Sequence, residues 1–201
     1  YRTKVKEASN LLLELVNDVL DMSKLESGEI VLEEIPFNLS SIFKEVFVVI
    51  EQMASEQNIQ IEWEKKEIIH RDFIGNPGYV KRVMMNILSN AVKYNRANGH
   101  IYISCMEIPS EQPEMTTMEF VCRDTGIGMT PEQQSRAFYR GVSFQPGGNG
   151  IGLSIVRKIA HELHIKIHID SAPNQGTTFT LIFPAYEQKL NYLTHTEALT
   201  K

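Results

Sequence analysis

Residues 124–129 (DTGIGM) place one carboxylate between a hydrophobic run and two closely spaced glycines. The run 120–122 predicts the end of a β-strand, so Asp124 is expected at a strand terminus. An ionised carboxylate only accepts hydrogen bonds, and the exocyclic amino group of adenine donates one, whereas guanine has a carbonyl oxygen at that position. Asp124 is therefore a candidate for adenine recognition, with Gly126 and Gly128 allowing the backbone to come close to a flat ligand. A surface Asp-Thr-Gly turn is the alternative.

A second set of polar side chains lies upstream, where Asn86, Asn90 and Lys93 are spaced i, i+4 and i+7. This spacing predicts that they share one face of a helix expected over residues 79–95. Amide carbonyl oxygens suit Mg²⁺, which also shares phosphate oxygens, and the Lys93 ammonium can neutralise phosphate charge. A solvated polar face is the alternative interpretation of the same pattern.

The third set is the glycine-rich run 147–152 (GGNGIG), which leads directly into a helix expected over residues 153–164. Glycines leave backbone N–H groups accessible to phosphate, and a helix N-terminus favours negative charge. A dinucleotide-binding unit requires a strand immediately before its glycines and the spacing G-x-G-x-x-G. Residues 143–146 (SFQP) make a poor strand and the spacing here is G-x-G-x-G, so that alternative is disfavoured.

Periodicity and turn signals predict the elements that position these three sets. Helices are expected from Asn38 to about Met53, and over residues 79–95, 131–138 and 153–164. Strands are expected over residues 59–64, 100–107, 118–123, 166–170 and 177–183, the second and third forming an antiparallel pair. Residues 28–39 are expected to form a connector with a bend at Pro36.

The first 26 residues predict one long helix, because apolar residues repeat with heptad spacing on two interleaved positions. Leu11, Val16 and Leu20 widen the apolar stripe beyond a two-stranded seam, which is typical of a helical bundle. The partner helix is expected outside this sequence or from a second copy. Packing of the stripe on the downstream domain is the alternative.

The composition excludes several classes of function. A formal net charge of −5 argues against nucleic-acid binding that depends on the neutralisation of phosphate charge. No apolar run is long enough to span a bilayer and no signal peptide opens the sequence. The two cysteines lack metal-ligand spacing and are expected in the core, which fits a reducing, cytoplasmic setting.

In this order, the motifs resemble those of the catalytic ATP-binding domain of sensor histidine kinases, which has the Bergerat (GHKL) fold. Residues 86–94 (NILSNAVKY) resemble the N box, 124–129 the first glycine box, 148–153 (GNGIGL) the second and 176–179 (GTTF) the last conserved block. The resemblance implies an α+β two-layer sandwich, a mixed sheet packed on helices, preceded by one bundle helix. Four domain segments are expected: 1–28 as the second helix of a dimerisation and phosphoacceptor bundle, 29–37 as a linker, 38–185 as the catalytic domain and 186–201 as a tail.

The resemblance also implies roles for individual residues. Asp124 would hold the adenine amino group, Asn90 would coordinate Mg²⁺, and Lys93 and Tyr94 would support the phosphates, with Asn86 and Lys93 as the catalytic pair. The matched motifs supply the remaining cofactor-binding residues: Gly126, Gly128, Met129, Gly148, Gly150, Gly152, Leu153 and Thr177.

The chain departs from the family pattern in two places. Residues 136–138 match the first half of the phenylalanine box while 139–141 do not, and Arg140 is proposed there as a phosphate contact. None of the six histidines lies in a bundle helix with an acid beside it, so the phosphoacceptor histidine is expected outside this chain. ATP-hydrolysing relatives carry a glutamate where this chain has Asn86, and an amide cannot accept the proton of an attacking water.

The sequence thus predicts a protein histidine kinase fragment that binds ATP and Mg²⁺ but cannot phosphorylate itself. Its expected partners are the phosphoacceptor helix of the same kinase and a response-regulator receiver domain, with a homodimer for the full-length protein. No nucleic-acid or membrane contact is expected for this portion, whether or not the parent is membrane-anchored. A degenerate nucleotide-sensing module and an ATP-hydrolysing protein of the same fold are the alternatives.

Overall fold

The computed structural model describes residues 35–65, 68, 72–109, 115–143 and 150–187, together with the isolated positions Val16 and Ser23. Val16 and Ser23 are helical and exposed. The rest of the helix predicted over residues 1–26, the glycines 147 and 148, and most of the predicted tail lie outside the described residues.

The described part of the chain contains seven strands and four helices. The strands are β1 (Ile35–Asn38), β2 (Gln60–Lys65), β3 (Asp72–Gly75), β4 (His100–Pro109), β5 (Met115–Asp124), β6 (Lys166–Ala172) and β7 (Gly176–Glu187). The helices are α1 (Leu39–Ser55), α2 (Pro77–Lys93), α3 (Pro131–Arg136) and α4 (Gly152–Glu162).

The strands form one mixed sheet in the order β1-β3-β7-β5-β4-β2, with β6 also paired to β7. The β2–β4 pairing is parallel, and the other described pairings are antiparallel. The predicted antiparallel pair β4 and β5 is confirmed, with Ile101 opposite Asp124. The pairing of β5 with β7 places Arg123 opposite Thr178, so the end of β5 lies beside the start of β7.

Local signals in the sequence explain where the two longest helices begin. The Asn38 side chain accepts a hydrogen bond from the Ser41 N–H at 3.2 Å and caps α1. The Asn76 side chain accepts from the Tyr79 N–H at 3.1 Å and caps α2, where proline occupies the first turn. α1 therefore begins at the asparagine from which the sequence predicts it, whereas α2 begins at Pro77, two residues before the start predicted at residue 79.

The helices pack against the sheet and, within the described residues, enclose a large cluster of buried apolar side chains. Phe43 of α1 packs edge-on against Trp63 of β2, with ring centroids 5.1 Å apart. Ile87 and Leu88 of α2 are fully buried in the same cluster, as are Cys105 and Cys122, which confirms the core position predicted for the cysteines. The expected two-layer α+β sandwich is confirmed.

Two short strands differ from the sequence-based expectation. The segment predicted as a linker over residues 29–37 overlaps β1, which begins at Ile35, and β3 was not predicted at all. β7 also continues to Glu187, beyond the strand end predicted at residue 183. Pro36 is tolerated in β1 because β1 lies at the edge of the sheet, where a missing N–H donor costs little.

None of the helices in the described ranges is both long enough and apolar enough to cross a bilayer.

Candidate functional site

A cavity of about 420 Å³ lies between α2, the segment that follows β5 and the start of α4. It brings together most of the site residues that the sequence predicts from distant motifs. Eleven of them line the cavity: Asn86, Asn90, Lys93, Tyr94, Asp124, Gly128, Met129, Gly150, Gly152, Leu153 and Thr177.

Asp124 is a buried carboxylate at the end of β5, with 6% of its surface exposed. Its Oδ1 atom accepts hydrogen bonds from the Gly126 N–H at 2.8 Å and from the Thr177 N–H at 3.2 Å. Its Oδ2 atom makes no hydrogen bond within the described part of the chain. Because Asp124 lines the cavity, Oδ2 is the acceptor available to a ligand.

The surroundings of Asp124 disfavour its ionised form. Burial raises the pKa of the Asp124 carboxyl from 3.8 to about 6, while the hydrogen bonds from the Gly126 and Thr177 N–H groups act in the opposite direction. A carboxylate with a raised pKa in a cavity is typical of a functional site, because a stable core gains nothing from a desolvated charge.

Two glycines hold the backbone close to Asp124. Gly176 has φ +86°, and a Cβ atom added to it would lie 1.9 Å from the Asp124 carbonyl oxygen. Gly128 has φ +64°, and its added Cβ would lie 1.9 Å from the Ala172 carbonyl oxygen. Both positions therefore exclude any side chain, and together they keep the segment after β5 against the β6–β7 turn.

Asn86, Asn90 and Lys93 all line the cavity, so they share one face of α2 as their spacing predicts. Asn86 donates from Nδ2 to the Arg82 carbonyl oxygen at 2.9 Å, and its Oδ1 atom accepts no hydrogen bond from the described residues. A Cβ added at Gly152 would lie 2.6 Å from this Oδ1 atom, so Asn86 faces the first turn of α4. The Asn90 side chain makes no hydrogen bond within the described ranges and is free to bind a ligand.

The end of α2 supplies the one cationic side chain among the lining residues. The Lys93 Nζ atom lies 5.4 Å from the centre of the Tyr94 ring, a cation–π contact that limits where the ammonium can go. The Tyr94 carbonyl oxygen accepts a hydrogen bond from the Ile127 N–H at 3.1 Å and so connects α2 to the segment after β5.

Gly150 and Gly152 place the start of α4 at the cavity wall. The Gly141 N–H donates to the Gly150 carbonyl oxygen at 3.0 Å, which holds these two residues together. Within the described part of the chain, no side chain caps the N-terminus of α4, an 11-residue helix. Free backbone N–H groups and the helix dipole therefore favour an anion here.

Three predicted site residues are not among those that line the cavity. Gly126 donates its N–H to Asp124, which does line the cavity. Arg140 is exposed, and its predicted phosphate contact stays a prediction. Gly148 lies outside the described residues.

The cavity also has lining residues that the sequence analysis did not select: Met53, Gln57, Ser89, Ala91, Ile127, Ala137, Val142, Ser143 and Phe179. Met53 comes from α1 and Phe179 from β7, so their apolar surfaces reach the cavity only through tertiary packing. Ile127, in contrast, stands inside the DTGIGM motif and could have been selected from its position between the two glycines.

One family model and several curated proteins match more than half of this chain. The family model described as "Histidine kinase-, DNA gyrase B-, and HSP90-like ATPase" matches residues 75–187. The chain is 34% identical over 181 residues to the signal transduction histidine-protein kinase BarA of Escherichia coli (strain K12), covering 87% of this chain and 20% of that protein. It is 30% identical over 190 residues to the sensor histidine kinase GacS of Pseudomonas protegens, covering 89% of this chain and 20% of that protein. The chain thus spans about a fifth of the length of these curated relatives.

Solved structures share the same fold. Full-length ShkA in complex with AMPPNP superposes with a TM-score of 0.75 at 25% identity, over 92% of this chain and 38% of that chain. The catalytic domain of the histidine kinase ThkA superposes with a TM-score of 0.61 at 25% identity, over 76% of this chain and 95% of that chain.

Proposed function

The chain belongs to the family of histidine kinase-, DNA gyrase B- and HSP90-like ATPases, and from that premise we propose that it is the ATP-binding catalytic domain of a two-component sensor histidine kinase. In this proposal it transfers the γ-phosphate of ATP to a histidine outside residues 1–201. A response-regulator aspartate then receives the phosphate.

One observation carries the proposal: within the described ranges, a buried carboxylate has an unoccupied acceptor atom in a cavity whose other polar groups include amides, an ammonium and backbone N–H groups. The Asp124 carboxylate is suited to a base that donates a hydrogen bond. The Lys93 ammonium and the start of α4 are suited to an anion. One ligand that has both chemical features is an adenine nucleotide.

Asn90 is proposed as the residue that holds Mg²⁺. Its amide oxygen has no competing hydrogen bond in the described ranges, and an oxygen ligand of this kind fits a hard cation that takes its other ligands from water and phosphate. When bound, Mg²⁺ neutralises charge on the phosphate oxygens. Lys93 adds a second positive charge on the same face of α2.

Phosphoryl transfer needs positioning and charge neutralisation more than acid–base chemistry. The P–O bond to the leaving ADP breaks while a P–N bond forms on the incoming histidine. Asn86 suits this reaction because its amide cannot act as the base that would activate water for hydrolysis. In this proposal the domain acts in the cytoplasm, within a homodimer of the full-length protein.

A transfer experiment tests the proposed function. We expect the isolated chain, incubated with Mg²⁺ and radiolabelled ATP, to gain no acid-labile label. A separate histidine-bearing helical bundle, added in trans, should become labelled. A bundle with its histidine replaced by alanine is the matched control.

The other functions of this fold give different results in the same experiment. A nucleotide-sensing module binds ATP but labels no bundle. An ATP-hydrolysing protein releases inorganic phosphate at steady state without a bundle. Acid-labile label on the isolated chain would show that the acceptor lies within residues 1–201.

The role of Asn90 can be tested through its dependence on Mg²⁺. We expect Asn90→Ala to weaken ATP binding by about tenfold when Mg²⁺ is present, because a metal ligand is lost. With EDTA present the same substitution should have little effect. Equal losses of affinity in the two titrations would contradict the assignment of Asn90 to the metal.

The raised pKa of Asp124 predicts that ATP affinity depends on pH. Below about pH 6 the carboxyl is protonated, and because Oδ1 is occupied by two N–H donors, the proton resides on Oδ2 and faces the adenine amino group. We expect the affinity to fall by up to about tenfold per pH unit below 6. Calorimetric titrations from pH 5 to 8 measure this affinity. Asp124→Asn is the reference, because it removes the titration of the carboxyl and keeps that of the ATP phosphates.

A further inference from the structure

Ser171 lies at the end of β6, beside the cavity but not among the residues that line it. Its hydroxyl contacts two elements of the cavity wall, the backbone of Met129 and the side chain of Thr177. We propose that Ser171 is a positioning residue that fixes the Thr177 hydroxyl as a hydrogen-bond acceptor and thereby strengthens the selection of adenine over 6-oxopurines. This inference rests on the proposed function.

The Ser171 Oγ atom has three polar neighbours within hydrogen-bond distance. The Met129 N–H donates to it at 2.8 Å. The Gly176 carbonyl oxygen, which can only accept, lies 2.9 Å away. The Thr177 Oγ1 atom also lies 2.9 Å away, where either hydroxyl could supply the proton.

Counting hydrogen atoms decides which hydroxyl donates. Ser171 has one proton and two lone pairs. If that proton goes to the Gly176 carbonyl oxygen, the lone pairs accept from the Met129 N–H and from the Thr177 O–H, and all three contacts are satisfied. If the proton goes to Thr177 instead, the Gly176 contact has no hydrogen. The first arrangement is favoured because it supplies a hydrogen to each of the three contacts, whereas the second leaves one contact without any.

In that arrangement the Thr177 hydroxyl has only lone pairs left for a ligand. Thr177 is buried, with 8% of its surface exposed, and lines the cavity next to Asp124, whose carboxylate also only accepts. The two side chains together form a surface of acceptors. An amino group at position 6 of a purine, or a water molecule that it binds, satisfies this surface, whereas a carbonyl oxygen at that position is repelled.

A second element holds Ser171 in place. Gln134 of α3 donates from Nε2 to the Ser171 carbonyl oxygen at 2.7 Å and reaches the Met129 carbonyl oxygen at 3.3 Å. The backbones of Ser171 and Met129 are thus tied together through one side chain. The hydroxyl of Ser171 therefore has a fixed position relative to Thr177.

The test compares ATP with inosine triphosphate, which carries a carbonyl oxygen where ATP has the amino group. Removing the hydroxyl with Ser171→Ala frees the Thr177 proton to point into the cavity. We expect the ATP affinity to fall and the affinity for inosine triphosphate to stay the same or rise. The ratio of the two dissociation constants should change by about fivefold, as for one hydrogen bond.

Three further variants separate positioning from a general structural effect. Ser171→Thr keeps a hydroxyl and should restore the ratio. In a Thr177→Val background, Ser171→Ala should leave the ratio unchanged, because no hydroxyl remains to be oriented. Ser135→Ala removes an exposed hydroxyl bonded to the Glu132 carbonyl oxygen at 2.8 Å and should affect neither nucleotide.

The outcomes distinguish this inference from the proposed function. If Ser171→Ala weakened the binding of ATP and of inosine triphosphate equally, the positioning role would be overturned while ATP binding stands. The same would follow if Ser171→Ala changed the ratio of the two dissociation constants in the Thr177→Val background. If the unmodified chain bound neither nucleotide, the proposed function itself would fail and this inference with it.

Discussion

Replacing Asp124 with asparagine is expected to weaken ATP binding and, in the same protein, to raise the free energy of unfolding of the nucleotide-free chain at neutral pH. The loss of affinity should be about 1–3 kcal/mol, the value of one buried charged hydrogen bond. The asparagine amide oxygen can still accept from the Gly126 and Thr177 N–H groups, but its NH₂ group then faces the adenine amino group, and two donors repel.

The gain in stability follows from the direction of the pKa shift. A carboxyl whose pKa is higher in the folded than in the unfolded state favours folding most below the unfolded pKa, and this contribution is lost as the pH rises through the folded pKa. For Asp124 the pKa rises from 3.8 to about 6, which corresponds to roughly 3 kcal/mol of lost stability by pH 7. Asparagine has no charge to desolvate and avoids this loss.

Urea unfolding at pH 4.5 and pH 7.5 measures the effect without nucleotide. The stability of the unmodified chain relative to Asp124→Asn should be lower at pH 7.5 than at pH 4.5. Asp170→Asn is the matched control, because Asp170 is exposed on β6 and should change neither stability nor ATP affinity. A variant that loses both stability and affinity would contradict the account, since Asp124 would then be a structural residue.

The second large effect is expected for Gly176→Ala, which should destabilise the fold by about 2–5 kcal/mol. Two costs combine at this residue. The φ angle of +86° is unfavourable for alanine, and the added Cβ would lie 1.9 Å from the Asp124 carbonyl oxygen and 3.0 Å from the Thr125 Cα atom. These are backbone atoms, so relief requires β7 to move away from the end of β5, and that movement displaces Thr177 from Asp124.

Gly141 provides a matched control for this prediction. It has φ +77°, but an added Cβ would meet no atom within 4 Å. Gly141→Ala therefore carries only the cost of the backbone conformation, about 1–2 kcal/mol. Chemical denaturation should show a clearly larger loss for Gly176→Ala than for Gly141→Ala. Equal losses would mean that β7 and β5 are not held as closely as the structure shows.

Much of the fold follows from local sequence signals. Asn76 and Pro77 mark the start of α2, and alternating apolar residues mark β4 and β5, so these elements lie close to where the sequence predicts them. β1 and β3 escape prediction because each has four residues, too few for an alternating pattern to emerge. Pro36 within β1 indicates a bend when only the sequence is considered.

The residues of the candidate site likewise fall into two groups, those that sequence motifs identify and those that only the tertiary structure identifies. Asp124 and Asn90 belong to motifs whose residue types suit a ligand, so they can be selected without a structure. Met53 and Phe179 reach the cavity only because α1 and β7 pack around it. Ser171 contacts Thr177 because β6 and β7 form a hairpin with a particular register, which places those two residues opposite each other.

The recognition of adenine by Asp124 is the claim on which the site, the proposed kinase activity and the role of Ser171 all depend. Calorimetric titration of the chain with ATP and, separately, with GTP in the presence of Mg²⁺ tests it most directly. We predict saturable binding of ATP at one site per chain and binding of GTP that is at least about tenfold weaker, because its carbonyl oxygen faces an acceptor. Equal affinity for the two nucleotides, or no saturable binding of ATP, would contradict it.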